Sequence, residues 1–129
     1  MEKISVTMKK HHVVLEGLLN KIERHRSFDE EYIRMFNGFK WELEKHFFVE
    51  ERAIFTRIDI PDEEFNQSMT KLLKEHTVIL KEMTAVDKDL RVHNEVDLNK
   101  FKRSLIEHKN FEDEVFYPTL ENHLDGKLQ

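Results

Sequence analysis

Apolar residues in this chain return every third or fourth position, and they do so in four separate runs. The first run takes in Ile4, Met8, His11, Leu15, Leu18, Ile22 and His25, spaced 4-3-4-3-4-3, the stripe that a helix turns toward its neighbours in a bundle. A second reads Tyr32, Phe36, Phe39, Leu43, His46, Glu50 and Ala53. A third reads Phe65, Met69, Leu72, His76, Ile79 and Met83, and a fourth Leu98, Phe101, Leu105, His108, Glu112 and Val115. The runs are separated by stop signals. In "RSFDEE", Ser27 or Asp29 can cap a new helix by accepting from its free N–H groups. In "TRIDIPDEE", Pro61 cannot continue a helix but suits the start of another. The third stripe fades near "RVHNEVD", and Gly126 marks the end of the fourth. Val, Ile and Thr nowhere alternate with polar residues, so no strand is predicted. Four amphipathic helices of about 22 to 28 residues with short connections predict an all-α, up-down-up-down four-helix bundle. The whole span 1–129 is expected to be one domain.

Composition narrows what such a bundle could do. There are 21 Lys and Arg against 26 Asp and Glu, a formal net charge of −5, and no basic stripe, so nucleic acid is not an expected partner. The opening "MEKISVTMKK" has no apolar signal region, and no apolar run approaches the roughly 20 residues that span a bilayer. The expectation is a cytoplasmic protein with no membrane partner. With no cysteine in the chain, disulfides, thiolate nucleophiles and cysteine-held metals are excluded, and any metal must be bound through nitrogen and oxygen. The eight histidines then call for an explanation.

The histidines recur in a pattern. "HFFVEERAIF" at 46–55 and "HKNFEDEVFY" at 108–117 each write His-x-x-x-Glu, and "KKHHVVLEGL" at 9–18 lines up with "KEHTVILKEM" at 74–83, His11 against His76 and Leu15 against Leu80. The halves read as two helix pairs in tandem. Counting 1.5 Å per residue from the expected loops, His11 lies roughly 24 Å before the first loop and His46 roughly 28 Å after it. His76 and His108 lie roughly 20 and 18 Å either side of the third. Each helix therefore delivers one inward imidazole to one layer, and Glu50 and Glu112, a turn beyond His46 and His108, fall on the same faces. Four imidazoles and two carboxylates buried together without compensation would cost several kcal/mol each or change protonation. The set calls for cations, and two first-row metals of six-fold coordination suit it better than closed tetrahedral zinc. His12 lies about 100° round the helix from His11, off the stripe, and is the alternative to it.

In order along the chain, His11, His46-x-x-x-Glu50, His76 and His108-x-x-x-Glu112, with the glutamates continuing as "EERAIF" and "EDEVFYP", resemble the hemerythrin-like cation-binding family over nearly the whole sequence. The resemblance implies a four-helix bundle around two non-haem iron ions joined by an oxo or hydroxo bridge. It implies Glu50 and Glu112 as bridging carboxylates, His11 and His46 on one iron, and His76 and His108 on the other. Reversible oxygen carriers of the family place a further histidine one turn after the third-helix ligand, where this chain has Leu80. A centre of four His and two Glu is similar to that of iron-centre repair proteins, which meet nitric oxide and oxidative damage. Those carry an additional N-terminal segment with cysteines. The family's last carboxylate can also fall five residues after its histidine, which makes Asp113 the alternative to Glu112. The resemblance thus implies a di-iron protein that binds O₂, NO or a related small molecule for sensing, scavenging or delivery. The alternative is a di-iron oxidase, peroxidase or NO-detoxifying enzyme fed by an electron donor from another protein.

The remaining aromatic and histidine residues carry expectations of their own. His25, His93 and His123 fall near helix ends and are expected to be solvated or capping. Trp41 and the phenylalanines are expected in the core, with Phe47, Phe111 and Phe116 as walls of the metal pocket. Tyr117 is expected to pack at the bundle end, with a hydrogen bond toward the site as the alternative.

Overall fold

A computed structural model gives the fold, and it describes residues 3–25, 27, 29–92 and 94–127, without the side chains of 125–127. Helix α1 spans Ile4–Arg24, α2 Glu30–Glu50 and α3 Glu63–Arg91. The fourth rod is continuous: α4 Asn99–Phe111, a π-helical turn Glu112–Phe116, and α5 Tyr117–Lys127. A second π-helical turn, Glu51–Phe55, extends α2. No strand occurs among the described residues, and the architecture is the expected all-α four-helix bundle. No described helix is long and apolar enough to cross a membrane.

The helix starts follow local chemistry. Asp29 accepts from Tyr32 N–H at 3.0 Å and Asp62 from Phe65 N–H at 3.2 Å, capping α2 and α3. Two glutamates follow each cap in the first turn, where the helix dipole favours them. His25 closes the first corner as expected, its Nε2 2.7 Å from Asp29 Oδ1. His123 lies 3.0 Å from Asp62 Oδ2, and His93 falls outside the described residues.

Cross-helix pairs fix the antiparallel order. Ser5 N–H donates to Glu121 while Lys102 pairs with Glu23, so α1 runs against the fourth rod. His76 lies against Glu50 and Asp87 against Lys40, so α3 runs against α2. His108 meets Glu75 and Ser104 meets Glu82, so α4 runs against α3. The core falls into two apolar clusters. One, toward the first and third corners, contains Leu15, Leu19, Ile22, Phe36, Phe39, Leu43, Met83 and Phe101. The other, toward the Pro61 corner, contains Met8, Ile54, Phe55, Phe65, Leu72, Phe116 and Tyr117. The histidine and glutamate layer lies between them.

Four outward placements differ from the sequence expectation. Trp41 is 63% exposed and Phe48 58% exposed rather than core, because both are off the inward stripe of α2. Ala53 and Val115 were expected inward and are exposed. Both sit inside a π turn, where Thr56 N–H bonds Glu51 C=O and Tyr117 N–H bonds Glu112 C=O, each five residues back. The wider turn rotates the helix phase, so that adjacent pairs, Ile54 with Phe55 and Phe116 with Tyr117, are buried instead.

Candidate metal centre

Each helix brings one imidazole to the layer, and the π turns begin just where the carboxylates sit. His46, Glu50, His76, His108 and Glu112 are all buried together, with Glu50 and Glu112 fully sealed. The fourth imidazole is that of His12. The inward face of α1 is Met8, His12, Leu15, Leu19 and Ile22, so the helix is rotated from the expected stripe, with Leu19 replacing Leu18 and His12 replacing His11. The tandem repeat then aligns one residue differently, His12 against His76, Leu15 against Ile79 and Leu19 against Met83, all buried.

Donor atoms converge in two overlapping groups. One is Glu50, His76, His108 and Glu112, and the other is His12, His46 and Glu112; within each, the ligand-type atoms lie within 4.8 Å of one another. Glu50 faces both sides, with Oε1 2.8 Å from His76 Nε2 and Oε2 3.9 Å from His46 Nε2. Glu112 Oε1 does the same, 3.2 Å from His12 Nε2 and 3.4 Å from His108 Nε2. Glu112 belongs to both groups, and Glu50, a member of the first, also turns toward His46 of the second, so the geometry can hold metal cations between these donors.

The outer nitrogen of each ring is held. His12 Nδ1 lies 3.0 Å from Asp113, His76 Nδ1 3.4 Å from Glu51 and His108 Nδ1 2.8 Å from Glu75. His46 differs, its Nδ1 lying 3.0 Å from His11 Nδ1. The carboxylate contacts orient His12, His76 and His108 with Nε2 inward and favour the Nδ1–H tautomer that leaves Nε2 free to coordinate, while the His11 contact holds the His46 ring in place. His11 and Asp113, one an expected ligand and the other an alternative ligand, thus stand behind the donor set. Sequence reasoning missed Glu51 and Glu75 in this role. Their signal was spacing: each lies next to a core residue, Glu50 or His76, on a helix that faces another imidazole.

The aromatic surroundings are partly as expected. Phe47 stacks on His76 with ring centres 3.8 Å apart and meets His108 edge-on. Phe55, not anticipated, stacks on the other side of His76 at 5.7 Å, and Phe116 packs behind Phe55. Phe111 turns outward beneath Lys71 Nζ instead of walling the site. Tyr117 is fully buried and its hydroxyl donates to Glu50 Oε2, a contact that the extra residue of the second π turn makes possible.

The electrostatics are those of a site lacking compensation for its buried donors. Burial pushes His46 down to about 3 and lowers His108 against the pull of Glu75, so both rings stay neutral. Burial and then the charge of Glu50 raise Glu112 well above the usual carboxylate range. Burial opposes ionisation of Glu50 too, but the close Glu112 carboxyl and then the His76 ring outweigh it and hold Glu50 low. The pair therefore carries one proton, on the Glu112 side, when no cation compensates it. His46 Nε2, His76 Nε2, His108 Nε2, Glu50 Oε1 and both Glu112 oxygens are buried without a hydrogen-bond partner. An orphaned buried group costs roughly 1–3 kcal/mol, and these face one another across the space that metal cations would fill.

A family model supplies the assignment that this donor set calls for. The hemerythrin HHE cation-binding domain model matches residues 3–120. The chain belongs to the hemerythrin HHE family. No curated protein and no solved structure matches it. Membership and the buried His and Glu cluster together make this a metal-binding hemerythrin-like domain. The chemistry of the donors fits such a role, since neutral imidazoles and carboxylates, with no sulfur in the site, suit divalent or trivalent first-row ions.

Proposed function

We propose that this hemerythrin-like domain holds two non-haem iron ions in the central layer and binds O₂, NO or a related small molecule there, for sensing, scavenging or delivery. His12 and His46 serve one ion and His76 and His108 the other, with Glu50 and Glu112 bridging. The observation that carries this reading is the inward ring of partnerless Nε2 and carboxylate atoms, each imidazole held from behind through its Nδ1.

Four protein donors per ion leave about two of six positions for a bridging group and an exogenous ligand. Leu80, one turn after His76, adds no donor and packs against the apolar cluster, so both ions keep an open position. When bound, iron supplies redox-active coordination positions for a diatomic ligand. The chain supplies neutral imidazoles, a shared carboxylate pair and a largely apolar surround.

The test is metal content and visible absorption of protein from iron-replete cells, followed by azide and NO titration of the parent and Leu80→His. About two irons per chain, charge-transfer bands, and fewer exogenous ligands bound by the variant are expected. Stoichiometric zinc under ample iron, or identical titrations, would sink the reading.

A further inference from the structure

A cavity of about 280 Å³ opens between α1 and α4 beside the centre. Its walls are chiefly Leu15, Leu19, Leu43 and Leu105. Its polar residues fall into two sets. One is buried, comprising His12, His46 and His108, and the other lies at the surface, comprising Glu16, Asn20, Lys102 and Lys109. The surface charges are already matched, because Lys109 pairs with Glu16 and Lys102 with Glu23, the latter at 2.8 Å.

These features select an occupant. A diatomic molecule would fill only a small part of the space, since even a water molecule's share of liquid volume is about 30 Å³. An apolar cavity of about 150 Å³ takes benzene, which scales to about ten non-hydrogen atoms here. The lysines have acidic partners, so nothing at the mouth calls for an anionic ligand, and the walls reward apolar surface.

We propose that this cavity binds a neutral, apolar organic molecule of about naphthalene size, seated with one end against His12, His46 and His108. The seating rests on the reading of those residues as metal ligands, whereas the cavity itself does not.

Equilibrium dialysis of naphthalene against the metal-loaded protein tests it, with 1-naphthoate and 1-naphthylmethylammonium as charged controls. Saturable uptake of about one naphthalene per chain is expected, with weaker uptake of both ions. Leu105→Trp, which fills the wall, should weaken uptake at least tenfold. Ile106→Trp, at a partly exposed lining position, serves the same purpose without touching the core, and circular dichroism confirms that both variants fold. Bound naphthalene should also shift the visible bands of the metal centre. No saturable uptake, uptake indifferent to both substitutions, charged controls that bind equally well, or binding that leaves the metal bands unmoved would overturn the proposal. If the protein takes up no metal, the proposed function falls and the dialysis measurements alone decide the cavity.

Discussion

The neighbours His11 and His12 give the sharpest test of the donor assignment, because one removes a proposed ligand and the other only a support. His12→Ala deletes the imidazole whose Nε2 lies 3.2 Å from Glu112 and whose Nδ1 lies 3.0 Å from Asp113. The ion it shares with His46 would be left with one imidazole and two bridging carboxylates. Metal content should fall from about two per chain to about one. His11→Ala deletes only the partner of His46 Nδ1, 3.0 Å away. Loss of such an outer partner weakens metal affinity about 10- to 100-fold, or roughly 1.4–2.7 kcal/mol. The variant should therefore still carry about two ions at saturation but release one of them sooner to a chelator. Metal per chain after gel filtration, followed by release into a graded chelator series, reads both outcomes, and far-ultraviolet dichroism checks helicity. Halved metal in His11→Ala with full metal in His12→Ala would refute the assignment and restore His11 as the ligand.

Three other outcomes follow from the same geometry. Glu112→Gln keeps the shape of the protonated carboxyl that burial favours, so the metal-free protein should melt within a few degrees of the parent while the melting gain from metal disappears; an undiminished gain would count against Glu112 as a bridge. Tyr117→Phe leaves Glu50 Oε2 without its buried donor and should destabilise the metal-free protein by roughly 1–3 kcal/mol in urea unfolding, whereas no change would show the contact to be idle. For pH, His46 and His108 are lowered in the folded state, so below an unfolded value of about 6.5 the unfolded chain binds more protons and stability falls on acidification, by ~1.4 kcal/mol per unit for each group. Glu112 is raised and acts oppositely, its contribution being lost as pH rises above about 4.5 through its folded value. Two imidazoles outweigh one carboxyl between those points, so metal-free stability should peak near pH 6.5; urea midpoints rising monotonically from pH 5 to 8 would contradict this.

The periodicity of the sequence was enough for the bundle, its corners and five of the six layer residues, because burying one face of a helix imposes a 3.6-residue repeat on any chain that does it. The cap of α2 was legible as one of two candidates, Ser27 or Asp29, and Asp29 makes it, whereas the cap of α3 is Asp62, one residue beyond the Pro61 that the sequence reading named. The choice between His11 and His12 was not legible. Leu18 and Leu19 are both leucine and the two histidines are adjacent, so the stripe can be drawn in two phases about 100° apart, with 11 and 18 or with 12 and 19. Only packing of α1 against α2 and the fourth rod selects the second, with Asp113 receiving the His12 ring. The π turns also escaped a 3.6-residue reading, which placed Ala53 and Val115 inside. Their trace was the adjacent apolar pairs Ile54–Phe55 and Phe116–Tyr117 at matching places in the two halves. The widened turn shifts the helix phase, so that the face carrying these pairs turns inward in place of Ala53 and Val115. That rotation, made where the two helices meet the layer, is a tertiary decision, and it is what carries Tyr117 to Glu50.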